Sequence, residues 1–208
     1  MSGLKIYGVP RSRTFRTLWM AKELGLDYEN VAVDFATGAT RRPDYLAINP
    51  NGHVPAIDDD GVVLWESMAI NLYLAKKYGA GAQGLYPERL EDEARAWQWS
   101  FWGMTEIERP LLTALFNRAI YPEEKRDAAA ADQAERELAP PLRVLDGALA
   151  GGSYLLGPRF TVADLNVASI LTWARPARLD LAAVPHAADW LKRCFDRPAS
   201  RAARDLQR

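Results

Sequence analysis

Pro55, Glu66, Ser67 and Ser12 are the residues of this chain whose types and spacing could do chemistry. Pro55 interrupts the strand-like run HVPAI, where a missing N–H breaks a ladder and frees neighbouring backbone groups. A turn at Asp58-Asp59-Asp60-Gly61 leads to a second apolar run, VVLW, and Glu66-Ser67 then heads a helical pattern. Backbone N–H groups at a helix N-terminus point outward and favour an anion. Free strand backbone beside such a terminus can hold a small peptide by its main chain and its carboxylate. Ser12, in the loop YGVPRSRTFR with Arg16 one helical turn on, offers a hydroxyl to an anion at another helix start. The plainer role of Ser12, and of Ser67, is an N-cap worth about 1 kcal/mol.

The elements that must position these residues follow from periodicity. LKIY at 4–7 reads as a strand ending at Gly8 and Pro10, and Phe15, Leu18, Trp19 and Leu24 recur at helical spacing over 13–24, with Gly25 as the stop. YENVAV at 28–33 alternates like a strand. A polar loop then runs to VPAI at 54–57 and VVLW at 62–65, followed by a helix over 67–78. The order βαβ then ββα, with Pro55 opening the third strand, is a thioredoxin-like plan over residues 1–80. Beyond the glycine-rich linker at 79–88, strand patterns vanish. Residues 88–208 read as an all-helical domain, with helices near 88–119, 123–148, 161–174 and 187–196.

Composition narrows the partners. The 208 residues are 49% apolar and 25% charged, with 26 basic against 27 acidic side chains, so no global field favours nucleic acid or an anionic membrane. No apolar run suits a membrane span and no secretory leader is evident, so the expected compartment is cytoplasmic. Cys194 is the single cysteine, and His53 and His186 lie far apart without metal-ligand spacing, so no metal is expected and any thiol chemistry needs a borrowed thiol.

The segments YGVPRSRTFRTLWMAKELGLDYENV, DFATGATRRPDYLAINPNGHVPAI and LWESMAINLYLAKKY resemble the cytosolic glutathione transferases in order and spacing. FTVADLNVASI resembles the family's buried N-capping motif, with Thr161 and Asp164 at capping-box spacing and Phe160 and Leu165 as staple residues. Where thioredoxin-like oxidoreductases carry CxxC, this chain carries SRTF, and Ser12 takes the position of the catalytic serine in the serine-type theta and phi classes.

The resemblance implies a role for each residue. Ser12 donates a hydrogen bond to the glutathione sulfur and stabilises its thiolate; by residue type Thr14 is a weaker rival hydroxyl and Arg13 an added charge, with a structural or solvated role the alternative for both. Val54 offers its backbone to the cysteinyl unit before a cis Pro55. Ser67 and its helix N-terminus take the γ-glutamyl carboxylate, with Glu66 facing the ammonium. Arg41 and His53 face the glycyl carboxylate, with Arg42 the substitute for Arg41 and a solvated loop position the alternative for His53, since phi enzymes tend to carry His-Lys where this chain has Thr40-Arg41, and Gln or Lys where it has His53. The acceptor pocket is expected between the domains, with Trp99, Trp102 and Phe116 as lining residues and Arg109-Pro110 marking a kink or break in their helix. Helix packing is the alternative role for those aromatics. Glutathione serves as co-substrate, a small hydrophobic electrophile is the acceptor, and the expected assembly is a homodimer. The alternatives are a glutathione-dependent peroxidase, isomerase or dehalogenase on the same fold, or a non-catalytic glutathione-binding module.

Overall fold

The computed structural model describes residues 3–79 and 84–207, so positions 80–83 of the expected linker lie outside the described residues. The chain divides into two compact units, one of Met1–Glu88 with Asp196–Arg208, the other of Arg89–Phe195. Residues from Asp196 onward therefore group with the first unit, although the sequence places them in the helical domain.

In the first unit, β1 (Leu4–Tyr7), β2 (Glu29–Val31), β3 (Ala56–Asp59) and β4 (Val62–Trp65) form a sheet in the order β2-β1-β3-β4. β1 pairs parallel with β2, and β3 is antiparallel to both β1 and β4. The parallel pair requires a crossover, and α1 (Thr14–Glu23) supplies it. Thr14 through Ala21 are all buried on α1, which packs against α3 (Ser67–Tyr78) and α9 (Pro198–Asp205). α9 is absent from the sequence expectation. It is short and polar, and its anchor is a fork in which Arg197 Nε and Nη2 each donate at 2.7 Å to the two oxygens of the buried Glu23 carboxylate.

The loop between β2 and β3 holds two 3₁₀ turns and a short helix, α2 (Pro43–Leu46), where a polar loop was expected. Asp34 accepts from Ala36 N to open the first turn, and Pro43 sits in the first turn of α2, where its missing N–H is harmless. Val33, Tyr45 and Ala56 form a small core beneath this loop, with Tyr7, Ala39, Ile48 and Val54 packed against it.

The second unit is helical: α4 (Leu90–Trp102), α5 (Arg109–Leu115), α6 (Ala128–Leu149), α7 (Val162–Leu171) and α8 (Pro185–Asp196). The break expected at Arg109-Pro110 takes the form of a π turn, Gly103–Glu108, directly before Arg109, and a second π turn, Phe116–Ile120, follows α5. A proline lacks the N–H and crowds the preceding turn, and one wide turn relieves both conflicts without ending the helix. At the head of α7, Asp164 accepts from Thr161 N (2.9 Å), Thr161 Oγ1 (3.1 Å), Leu155 N (2.9 Å) and Trp190 Nε1 (2.9 Å). Phe160 and Leu165 are buried beside it as the staple pair. Among the described residues, no helix is long and apolar enough to cross a membrane.

Candidate functional site

Strand register gathers the candidate residues at one end of the sheet. Tyr7 lies opposite Ala56, which lies opposite Trp65, so the residues after β1, before β3 and after β4 emerge together. Those are the loop of Ser12, the turn of His53, Val54 and Pro55, and the start of α3 at Glu66-Ser67. Gly8, at φ +129°, lets the loops close up: a Cβ there would lie 2.0 Å from Thr14 Oγ1 and 3.0 Å from Val54 Cβ.

Ser12 is half-buried, with its Oγ 2.7 Å from Val9 O and 2.8 Å from Thr14 Oγ1, and it accepts from Thr14 N at 3.1 Å. It thus meets the first amide of α1 while remaining at the sheet end, but Arg13 holds the N-cap position, so Ser12 lies one residue outside the capping role the sequence offered it. Thr14 is fully buried behind it, so the rival hydroxyl does not face solvent. Arg13, by contrast, is exposed.

The Val54-Pro55 bond is cis, and Val54 lies outside β3, so its N–H and C=O take no part in the sheet ladders. The carbonyl before it is clamped: Tyr45 Oη donates to His53 O at 2.6 Å and Asn49 Nδ2 donates to the same atom at 2.7 Å. Burial, opposed by the hydrogen bond with Asn49, pushes the Tyr45 hydroxyl up to about 12, so it remains a donor. The His53 side chain itself is exposed. Arg41 Nη1 reaches Asn51 O at 3.4 Å across Gly52, where φ is +63° and a Cβ would lie 2.8 Å from that nitrogen.

Glu66, not Ser67, takes the N-cap position of α3, with no capping bond from its side chain, at φ 74° and ψ 111°, a left-handed conformation that favours glycine, and its side chain is exposed. Strained non-glycine residues of this kind concentrate at ligand clamps. Ser67 is buried, and its Oγ accepts from Nη1 of the buried Arg16 at 3.4 Å. Arg16 therefore supplies positive charge behind the α3 N-terminus, adding to the helix dipole.

Tyr45 and Asn49 were not singled out in the sequence. Asn49 opens the turn motif NPNG, where asparagine side chains commonly bond nearby backbone, and that was the available signal.

The aromatics of the second unit form separate pairs. Trp99 and Trp102 stack edge-on with centroids 5.0 Å apart, whereas the exposed Phe116 packs on Tyr121 at 5.2 Å. Arg109 lines a polar cavity of about 470 Å³ with Thr105, Glu106, Pro110, Thr113 and Glu137, which includes none of the three aromatics. Among the described residues, no group of three or more His, Cys, Asp or Glu side chains is placed to hold a metal ion.

Comparison with known proteins accounts for this arrangement. Residues 2–76 match the family model "Glutathione S-transferase, N-terminal domain" and residues 106–198 match "Glutathione S-transferase, C-terminal domain". The chain belongs to the glutathione S-transferase family. This transferase is 39% identical to glutathione S-transferase 3 of Zea mays over 96% of its own length and 92% of the relative's. It is 32% identical to glutathione S-transferase GstB of Escherichia coli K12, covering 89% of each chain. Among solved structures it is similar to the theta class glutathione S-transferase of Xanthomonas axonopodis pv. citri, with glutathione bound. The TM-score there is 0.90 and the identity 32%, over 98% of this transferase and 97% of that chain.

Proposed function

We propose that this transferase is a serine-type enzyme that conjugates the thiolate of glutathione to small, largely apolar electrophiles. The Ser12 hydroxyl donates a hydrogen bond to the sulfur and stabilises the thiolate; it is not itself the nucleophile. The thiol proton passes to solvent, the sulfur electron pair forms the new bond to the electrophilic carbon, and the displaced group leaves with its own electrons. A free thiol has a pKa near ~8.5, and a hydroxyl donor at a helix entrance lowers it. Val54 backbone pairs with the cysteinyl unit, Ser67 and the α3 N-terminus take the γ-glutamyl carboxylate, Glu66 meets the ammonium, and Arg41 with His53 meets the glycyl carboxylate. On the acceptor side the candidates are Trp99, Trp102 and Phe116.

The observation that carries this reading is the half-buried Ser12 Oγ at the same sheet end as the Val54 backbone and the buried Ser67. The bound glutathione of the theta class relative supports it. The test is turnover with a panel of aryl halides, epoxides, enones and hydroperoxides, run for the parent and for Ser12→Ala. Conjugation by the parent and its collapse in the variant are expected. An unchanged rate in Ser12→Ala removes Ser12 as the thiolate stabiliser, and hydroperoxide reduction alone shifts the assignment to a peroxidase.

The proposed assembly is a homodimer. The edge strand β4 exposes Val62, Val63 and Trp65, and α4 exposes Leu90, Trp97 and Phe101, more bare apolar surface than solvent favours. Light scattering is expected to give twice the chain mass, and a monomer mass would overturn the assignment.

A further inference from the structure

Ser12 Oγ carries one hydrogen and accepts two, and its neighbours fix how these are used. Val9 O, at 2.7 Å, only accepts. Thr14 N, at 3.1 Å, only donates. Thr14 Oγ1, at 2.8 Å, can do either. With the Ser12 hydrogen directed to Val9 O, the hydrogen lying between the two hydroxyls is that of Thr14, and Ser12 Oγ then accepts from Thr14 twice. If the Ser12 hydrogen turns from Val9 O to an incoming sulfur, neither Thr14 bond need break. Val9 O is not orphaned either, because Ser12 N also donates to it at 3.1 Å.

We propose that Thr14 is the positioning residue of the Ser12 hydroxyl: its side-chain and backbone donors hold Ser12 Oγ and polarise the O–H that faces the glutathione sulfur. A hydroxyl oxygen that accepts two hydrogen bonds is a stronger donor through its own hydrogen. Thr14 is fully buried, so it acts through Ser12 and touches no ligand. Its place is enforced from β1, because Gly8 leaves the space that Thr14 Oγ1 occupies; a Cβ there would lie 2.0 Å away. This inference rests on the reading of Ser12 as thiolate stabiliser.

The experiment titrates the thiolate absorbance of enzyme-bound glutathione and measures the pH profile of kcat/KM with an aryl halide for the parent, Ser12→Ala, Thr14→Val and Thr14→Ser. Valine keeps the shape of threonine and loses the hydroxyl. Thr14→Val is expected to raise the thiol pKa by about one pH unit and lower kcat/KM on the acid side roughly tenfold, with the KM for glutathione little changed. Thr14→Ser is expected to restore both. A Thr14→Val protein with the parental thiol pKa and pH profile overturns the proposal, and so does a Thr14→Ser protein that behaves like Thr14→Val. If Thr14→Val does not fold, Thr14→Ala against Thr14→Ser carries the same comparison. Ser12→Ala separates the two levels: a parental thiol pKa in that variant defeats the reading of Ser12 itself, whereas a raised one beside a parental Thr14→Val defeats only the role of Thr14.

Discussion

A hydroxyl stands at the entrance of one helix in each unit, Ser12 before α1 and Thr161 before α7, and their surroundings differ. Thr161 is buried, donates at 3.1 Å to Asp164 Oδ2, and shares that fully buried carboxylate with three N–H donors. Its bond is committed to the protein, and the shared Asp164 carboxylate ties α7 to α8 through Trp190. Ser12 is half-buried, and its hydrogen can turn away from Val9 O without leaving an orphan. A hydroxyl near a helix entrance is structural where its hydrogen is held by a buried carboxylate, as for the N-cap Thr161, and available for chemistry where that bond is exchangeable, as for Ser12 just ahead of the N-cap Arg13.

Substitutions at the two entrances should therefore separate stability from rate. The largest effect is expected for Asp164→Ala, which strands four donors, three of them buried, and should lower unfolding free energy by about 3–5 kcal/mol in urea titration. The pH profile of whatever protein remains folded should match the parent. Ser12→Ala should do the reverse, lowering kcat/KM by about 10²–10³-fold, as loss of a donor to a reacting anion does, while loss of its bonds to Val9 and Thr14 changes stability by about 1 kcal/mol. Ser67→Ala should raise the glutathione KM by about tenfold with kcat nearly kept, since it removes ground-state binding. Thr161→Ala should lower stability by about 1 kcal/mol, read as a small drop in thermal midpoint without kinetic change.

The smallest effect is one of pH, and it sets two buried carboxylates against each other. Burial pushes Asp164 up despite its donors. Burial also pushes Asp59 upward, but donors from Lys77, Tyr78 and Tyr73 outweigh it and hold the carboxyl below its ordinary value. Asp59 therefore contributes stability above about pH 4 that is lost as pH falls through its folded value. Asp164 has the opposite sign: its contribution is full below about pH 4 and declines as pH rises through its folded value. Urea midpoints measured from pH 5 to 3 should fall only shallowly in the parent and more steeply in Asp164→Ala.

The legible parts of the sequence were those with local causes. The strand and helix periods of the first unit, the Thr161-Asp164 spacing and the Gly61 turn are each set by residues within a few positions of one another. α9 was not legible because PASRAARD is short and polar with only alanines on its apolar side, and its Arg197 anchor meets Glu23 far away along the chain. Nor was the π turn, since Pro110 dictates a disruption without dictating whether the helix ends or widens. In the candidate site, Ser12, Pro55 and Ser67 stood out by type and spacing. Tyr45 and Asn49 did not, because their target is a backbone carbonyl that no sequence pattern marks.

The membership of α9 in the first unit has a consequence for the order in which the molecule is made. A ribosome delivers the strands and α1 first, then the helical unit, and α9 only after both. The side of α1 that α9 covers, with Glu23 at its end, waits uncovered through all of that synthesis. The unit that carries the strands thus receives α9 only after the helical unit has been made, and the sheet end that gathers Ser12, Val54 and Ser67 belongs to it.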